Sequence, residues 1–259
     1  MRDDNYINML IYMICGLFLK FFYFPKNNLL LTQNRVFVKK VSEKIQIMSY
    51  NVRAFFPFYN FKRIDNILTF IEEQFSKNQI DVLCLQEAYE FHFLDHLYDI
   101  ATKYGLYVAH PSLEKKYMIG ENSGLIVLSR FPTKLDSVFV YPISSGLDQF
   151  AKKSAMYFSF YVNDKRYKVM TTHLQSDNDL VAIKQIEMAI YNAPVIWDNS
   201  FIIIGDLNID FCQDNIVTFP DTKKQYDYIS FYNQPQPDSK ISVYNTVNFS
   251  DHYPIKIIL

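Results

Sequence analysis

From residue 36 onward, strand-like and helix-like patterns of apolar residues alternate along the chain. Residues 44–51 alternate apolar and polar side chains, which predicts a half-buried strand. Apolar residues then recur at helical spacing between Phe61 and Phe75, which predicts an amphipathic helix. Five further runs predict strands and one predicts a helix: strands at 80–85, 125–128, 169–172, 201–204 and 253–259, and a helix at 180–191. The alternation indicates one α/β unit over residues 36–259.

An almost continuous apolar run covers residues 7–24 and stops at Pro25. Its length is near the minimum of about 17 residues for a membrane-spanning helix. A cleaved signal peptide normally starts with basic residues, whereas residues 2–4 read Arg-Asp-Asp. Because basic residues follow the run, the positive-inside tendency predicts that the main domain is cytoplasmic. We therefore expect residues 1–35 to be a hydrophobic segment that anchors the protein to a membrane, and a poorly ordered or core-packed extra helix is the alternative.

Composition limits the classes of protein to consider. A chain of 259 residues, 49% of them hydrophobic, is long enough for one sizeable buried core. Lys and Arg number 26 and Asp and Glu 27, so the chain lacks the basic excess of most proteins that bind many nucleic-acid phosphates. Three scattered cysteines argue against a disulfide framework, and Cys84 lies in an apolar run that predicts burial. A reducing compartment is the simpler expectation.

Polar side chains that bind metals or phosphates follow four of the predicted strands. These segments are MSYN at 48–51, LQE at 85–87, TTHLQ at 171–175 and IIIGDLN at 202–208, and a fifth, SDHYP at 250–254, precedes the last strand. Ligand sites of α/β sheets commonly lie at strand ends. Carboxylate and amide oxygens suit Mg²⁺, and phosphodiester hydrolysis needs such an ion, a base for water and donors to the phosphoryl oxygens. Each segment alone also fits an ordinary turn or a solvated surface, so only their combination indicates a catalytic site.

In this order the segments resemble the endonuclease/exonuclease/phosphatase superfamily, from about Ile45 to the C-terminus. The most specific parts are GDLN at 205–208 and SDH at 250–252. YDYI at 226–229 is similar to the superfamily's other late motif, in which an aspartate opens a strand. The resemblance implies an α/β fold of the DNase I-like kind, a four-layer sandwich of two packed mixed sheets flanked by helices. It also implies a metal-dependent phosphodiesterase, a hydrolase that uses Mg²⁺ or Mn²⁺.

The resemblance further implies a metal site and its ligands. Glu87 would bind the ion, Asn51 would lie close to the ion and its waters, and Asp251 would assist nearby. Taken alone, Glu87 also fits a solvated charge after a buried strand, and Asp251 fits a surface residue.

Five catalytic residues are implied in the same way, namely His173, Asp206, Asn208, Asp227 and His252. His252 would take a proton from the attacking water or stabilise the phosphate, and Asp227 would hold the tautomer of His252. Asp206 would position the water. Asn208 and His173 would form hydrogen bonds with the phosphoryl oxygens.

Within the superfamily, several segments resemble the neutral sphingomyelinase-like branch: GLIVLSRFP at 124–132, THLQ at 172–175, SDHYP, and GLDQFAKKSAMYFSF at 146–160. In the last, Lys152 and Lys153 either contact phosphate or form a solvated pair. Two features depart from the branch. Ala182 stands where an arginine is common, and residues 241–249 leave no room for the membrane-dipping hairpin of secreted bacterial sphingomyelinases.

The resemblance therefore implies hydrolysis of a phospholipid headgroup by a membrane-associated enzyme. A nuclease or DNA-repair phosphodiesterase of the same fold, acting on nucleic acid, is the alternative. An inositol-polyphosphate phosphatase is disfavoured because YDYI lacks the Trp and Arg of that branch. A non-enzymatic scaffold would be favoured by the loss of Glu87, Asp206 or His252, and all three are present.

Overall fold

The computed structural model describes residues 44–55, 60–111, 123–210, 216–238 and 240–259. The expected N-terminal anchor, residues 1–35 with their apolar run at 7–24, lies outside these ranges. Among the helices in the described ranges, none combines the length and the apolar character needed to cross a membrane.

The described residues form eleven strands in two sheets. In chain order they are β1 (Gln46–Ala54), β2 (Val82–Ala88), β3 (Tyr107–Ala109), β4 (Ile126–Ser129), β5 (Thr133–Val140), β6 (Ser154–Val162), β7 (Lys165–His173), β8 (Phe201–Asp206), β9 (Asp227–Tyr232), β10 (Ser242–Val243) and β11 (Ile255–Ile258). The first sheet has the order β10-β11-β1-β2-β4-β3, and the second has the order β5-β6-β7-β8-β9. Each sheet is mixed, because β1 runs parallel to β2 and β7 runs parallel to β8 while the other pairs are antiparallel.

Three helices connect the strands: α1 (Phe61–Ser76), α2 (Phe91–Tyr104) and α3 (Asp179–Tyr191). Asparagine begins two of them. The side-chain oxygen of Asn60 accepts from the backbone N–H of Arg63, and that of Asn178 accepts from the N–H of Val181. Such caps satisfy backbone donors that a helix leaves unpaired at its first turn. They therefore set where α1 and α3 begin, directly after the segments that carry polar motifs.

Burial divides the apolar residues into three clusters that separate four layers. Met48, Tyr50 and Leu83 belong to the cluster under α1 and α2, whereas Ile47 and Val82 face the second sheet. A third cluster lies between the second sheet and α3 and contains the single tryptophan. Neighbouring strand positions thus alternate between two buried faces. The predicted four-layer sandwich of two mixed sheets and flanking helices is confirmed.

One prediction about β1 was wrong, although the strand itself is present. The alternation in residues 44–51 indicated a half-buried strand, but both faces of β1 are covered. Ser49 and Asn51 are fully buried. The polar positions lie where the two sheets meet, so tertiary packing buries groups that sequence alternation alone assigns to solvent. The predicted burial of Cys84 is confirmed.

The close approach of β7 and β8 predicts a large stability difference between two glycines. A Cβ at Gly205, whose φ is +141°, would lie 2.0 Å from the backbone oxygen of Thr172. Gly205→Ala is therefore expected to cost about 3 kcal/mol of unfolding free energy or more. Gly105 also has positive φ, at the end of α2, but nothing lies within 4 Å of an added Cβ. Gly105→Ala should cost about 1–2 kcal/mol.

Urea unfolding followed by circular dichroism measures both changes. Equal losses for the two variants would contradict the steric argument, because both glycines have positive φ and only Gly205 meets backbone.

Candidate active site

The predicted site residues gather at one edge of the sandwich, where strands from both sheets end. Parallel β1 and β2 end beside Asn51 and Glu87, and parallel β7 and β8 end with His173 and Asp206. Three further site residues lie at the same edge: Asp227, which opens antiparallel β9 opposite Asp206, and Asp251 and His252, which precede β11. Ligand sites of α/β proteins commonly lie at such strand ends.

Asn51 connects the two sheets through a pair of carboxylates. Its Nδ2 donates to Glu87 Oε1 at 3.0 Å and to Asp206 Oδ2 at 2.9 Å. Glu87 comes from the first sheet and Asp206 from the second. Asn51 Oδ1 accepts in turn from the backbone N–H of Arg53 at 3.1 Å, which holds the amide in this orientation. The predicted proximity of Asn51 and Glu87 therefore exists in the fold, with Asp206 as a third member.

Burial makes both carboxylates reluctant to ionise. Burial raises the pKa of Asp206 to about 7, although His252 opposes the shift. Burial also raises the pKa of Glu87, and the hydrogen bond from Asn51 acts in the other direction. Asp206 is buried and Glu87 is partly exposed, and an acidic pair held this close together is costly unless a cation compensates it.

Asp227 and His252 form a buried hydrogen-bonded pair. His252 Nδ1 lies 2.7 Å from Asp227 Oδ2, and its Nε2 lies 3.6 Å from Asp206 Oδ2. Burial lowers the pKa of His252, but Asp227 and Asp206 outweigh burial and raise it to about 10. The contact fixes which ring nitrogen faces Asp206, which is the orienting role expected for Asp227.

A small loop holds both members of this pair. The side-chain oxygen of Thr218 accepts from the backbone N–H of Asp227 at 3.0 Å, and its carbonyl accepts from the N–H of Tyr253 at 2.8 Å. Phe219 contacts the ring of His252 edge-on, with ring centroids 4.8 Å apart. No sequence motif pointed to these two residues.

Lys153 lies inside the site, whereas its neighbour Lys152 is exposed. Lys153 Nζ is 3.1 Å from His173 Nε2 and 2.9 Å from Asp148 Oδ2, and it donates to the carbonyl of Leu174. Of the two alternatives for the lysines, a solvated pair therefore does not describe Lys153. Burial lowers the pKa of His173, and the charge of Lys153 lowers it further, so this imidazole is neutral.

Asn208 and Asp251 complete the set of predicted residues, each with partners of its own. The backbone N–H of Asn208 donates to Asp206 Oδ1 at 2.9 Å, and its side-chain amide donates to the carbonyl of Leu174 at 3.0 Å. Asp251 forms an ion pair with Arg53 at 2.7 Å. Arg53 was not identified from the sequence, since an isolated arginine after a strand carries no motif.

Three of these residues have backbone conformations that non-glycine residues rarely adopt. The φ angles are +56° for Glu87, +51° for Asn208 and +47° for Arg53. Such conformations cost about 1–3 kcal/mol each and cluster at functional sites. Placing these three side chains therefore lowers the stability of the fold.

The donor set fits a hard divalent cation. Two groups have their ligand atoms within 4.8 Å of one another, Glu87 with His173 and Asp206, and Asp206 with Asp227 and His252. Two buried atoms of these groups, His173 Nδ1 and Asp227 Oδ1, have no hydrogen-bond partner among the described residues. Carboxylate oxygens are the ligands that Mg²⁺ prefers, and Glu87 and Asp206 provide them with ligand atoms close together.

Comparison of the sequence with known proteins gives a family match and two curated relatives. The sequence model of the Endonuclease/Exonuclease/phosphatase family matches residues 48–252. Sphingomyelinase C 2 of Leptospira interrogans is 27% identical over 127 residues, which is 45% of this chain and 19% of that protein. Sphingomyelinase C of Listeria ivanovii is 25% identical over 105 residues, which is 36% of this chain and 31% of that protein. The matches thus span less than a third of each relative.

Solved structures share the fold at lower identity. SmcL superposes with a TM-score of 0.66 at 20% identity and covers 83% of this chain and 99% of its own. A beta toxin variant from Staphylococcus aureus with bound magnesium ions gives 0.61 at 20% identity, with the same coverage of 83% and 99%. Truncated TDP2 from Caenorhabditis elegans gives 0.64 at 14% identity and covers 83% and 97%.

The family match runs through every polar segment of the site, from the end of β1 to His252. The superposed structures show that the sandwich beneath those segments is the fold of this group. The chain therefore belongs to the endonuclease/exonuclease/phosphatase family.

Proposed function

We propose that this protein is a Mg²⁺-dependent phosphodiesterase that hydrolyses the headgroup of a phospholipid, as a sphingomyelinase does. The observation that carries the proposal is the shared amide of Asn51 between Glu87 and Asp206, directly beside the Asp227–His252 pair. Metal ligands and a proton-handling group thus meet at one point. The sequence similarity to two bacterial sphingomyelinases supports the lipid substrate.

The position of each site residue indicates its role in the proposed hydrolysis. Because Asp227 and Asp206 keep His252 protonated, its imidazolium donates to a phosphoryl oxygen, which favours phosphate stabilisation over proton abstraction. Asp206, which lies within 3.6 Å of both imidazoles, orients the attacking water and is placed to accept its proton. Lys153 adds a second buried positive charge on the side of His173.

Glu87 and Asp206 would hold the cation, with Asn51 between them. The ion supplies neutralisation of the negative charge that develops on the phosphoryl oxygens. The side of the site that contains Lys153 would hold the substrate oxygens. Asn208 lies there beside the carbonyl of Leu174, and His173 lies there beside Lys153.

A nucleic-acid phosphodiester is the second candidate substrate. Similarity of the fold to TDP2 structures favours nucleic-acid-linked substrates. Against this candidate stands the formal net charge of -1, since affinity for a phosphate backbone comes mainly from a basic excess. The sequence similarity also lies with sphingomyelinases, so lipid remains the first proposal.

A first prediction tests the metal and the proton-handling pair. Glu87→Gln and His252→Ala are each expected to lower turnover by about 10²–10⁴-fold, because one removes a metal ligand and the other a group that meets the phosphate. EDTA should abolish activity, and Mg²⁺ or Mn²⁺ should restore it. Glu187→Gln, on the exposed side of α3, is the matched control and should leave turnover unchanged. Full activity in EDTA would contradict the proposed mechanism.

A second prediction concerns residues 7–24, which we propose associate the enzyme with a membrane while the catalytic domain stays cytoplasmic. A chain that begins at Val36 should remain folded and hydrolyse a soluble phosphodiester at the rate of the full chain, since every site residue follows Ile45. A smaller fraction of it than of the full chain should float with lipid vesicles in a density gradient. Aggregation of the shortened chain, with the full chain soluble in the absence of detergent, would show that the segment belongs to the core.

A third prediction compares the two candidate substrates under matched conditions. Release of phosphocholine from sphingomyelin vesicles should exceed nicking of abasic DNA, with Asp206→Asn as the inactive blank for both assays. The neutral net charge and the sequence similarity motivate the expected order. Nicking that depends on Asp206, without release of phosphocholine, would make nucleic acid the substrate.

A further inference from the structure

Exposed apolar side chains surround one side of the active-site edge. Val140 ends β5, Leu147 lies in the turn before β6, and Leu180 and Ile183 lie in the first turns of α3. Their exposed fractions are 51%, 39%, 74% and 37%. These four residues, called the apolar rim below, come from two segments that are distant in the sequence.

Hydrogen bonds join these two segments to each other. Gln185 Nε2 donates to the carbonyl of Ile143 at 2.8 Å, and Gln175 Oε1 accepts from the backbone N–H of Ser145 at 2.8 Å. The cap of α3, Asn178, also donates to Ser145 Oγ at 3.4 Å. The turn before β6 is therefore held against the start of α3 by polar groups beneath the apolar side chains.

The same turn is connected to the catalytic residues. Asp148, next to Leu147, accepts from the backbone N–H of Ser176 at 2.6 Å and pairs with Lys153 at 2.9 Å. Lys153 contacts His173, which lies beside Glu87 and Asp206. One buried ion pair thus separates the apolar rim from the candidate catalytic centre.

Strand directions place the rim at the mouth of the site. Val140 pairs with Ser154, and the neighbouring strand β7 ends at His173 beside this point. Two further exposed apolar residues lie at the opposite end of α3. Tyr191, which is 90% exposed, ends α3, and Val195, which is 92% exposed, follows it. Both lie about 20 Å from the start of the helix. The far end exposes these side chains more fully than the rim does, but only the rim adjoins the catalytic residues.

Charges around the apolar rim balance. Lys152 and Lys184 are exposed beside it, and so are Asp177 and Asp179. Such a surface has no net attraction for an anionic membrane, whose binding sites carry clusters of Lys and Arg. It is suited to a zwitterionic bilayer, where burial of apolar side chains in the headgroup region provides the binding energy.

We propose that the apolar rim docks on a zwitterionic bilayer and brings the site to the phosphodiester of a lipid headgroup. The inference rests on the proposed lipid substrate. Leu147, Leu180 and their neighbours would enter the headgroup layer while the catalytic residues stay at the depth of the phosphates. The rim would thereby take the place of the hairpin for which residues 241–249 have no room, since β10 is only two residues long there.

The experiment uses full-length chains with single changes at the apolar rim and at the far end of α3. Leu180→Glu and Leu147→Glu are the test variants, Leu180→Phe is the conservative one, and Val195→Glu is the matched control at the far end. Two activities are measured for each: phosphocholine release from phosphatidylcholine vesicles containing sphingomyelin, and hydrolysis of soluble bis-para-nitrophenyl phosphate. Flotation with the same vesicles reports binding.

Each test variant should lower vesicle activity by about tenfold, because a charged side chain replaces a buried apolar one, and should leave hydrolysis of the soluble diester unchanged. Leu180→Phe and Val195→Glu should match the wild type in both assays. Raising salt from about 0.1 M to about 0.5 M should change vesicle activity less than twofold. Salt screens the positive and the negative charges around the rim alike, so their screening has no net effect on binding.

Vesicle activity that is equal in Leu180→Glu, Leu147→Glu and Val195→Glu would overturn docking by the rim while leaving the lipid substrate intact. Loss in Val195→Glu alone would assign the membrane contact to the far end instead. Hydrolysis of the soluble diester without phosphocholine release by the wild type would reject the lipid substrate itself, and the inference would fail with it. If Leu180→Glu lost the soluble activity, Leu147→Glu, which changes a different segment, would decide.

Discussion

The whole site depends on a shared hydrogen-bond donor between two sheets. The amide of Asn51 binds Glu87 from its own sheet and Asp206 from the other, at 3.0 and 2.9 Å. For both contacts to exist, β1 and β8 must end at the same depth of the sandwich. The register of β1 with β2 and of β7 with β8 therefore determines whether a metal site exists at all. A slip of one residue in either pair would turn these side chains to the other face.

The site contains an excess of acidic groups. Asp206 lies within 3.6 Å of both His173 and His252, and burial raises its pKa to about 7. Such a group is costly to bury, and the surrounding backbone adds strain at Glu87 and Asn208. The fold tolerates both costs because three apolar clusters on the faces of the sheets supply the stability. A cation that binds here relieves part of the electrostatic cost, so metal binding and stability of the site are coupled.

The site has two sides, called its arms here, and each contains its own positively charged side chain. On one arm, Asp227 orients His252 and keeps it protonated. On the other, Asp148 holds Lys153 beside a neutral His173. A phosphodiester between them would meet positive charge on each side, which suits the negative charge carried by the phosphoryl oxygens during phosphoryl transfer. The apolar rim adjoins the Lys153 arm, so a lipid approaching from that side would present its headgroup first to Lys153 and His173.

The sequence determined the fold class, because strand and helix periodicities reflect which faces of each segment are buried. It predicted α1 and α3 and the core of six strands, and its motifs indicated the eight site residues that now lie at one edge. It missed α2 and the strands β3, β5 and β10, which carry no motif. It predicted a half-buried β1 because local alternation cannot show that a second sheet covers the polar face.

Tertiary structure alone decided the remaining features of the site. Lys153 and Lys152 look alike in the sequence, and only the ion pair with Asp148 and the contact with His173 select Lys153 as the buried one. Thr218, Phe219 and Arg53 belong to no motif, since their contacts to Asp227, His252 and Asp251 join residues distant in the chain. Residue type and spacing report local preference, whereas burial and pairing of charges depend on which strands the fold brings together.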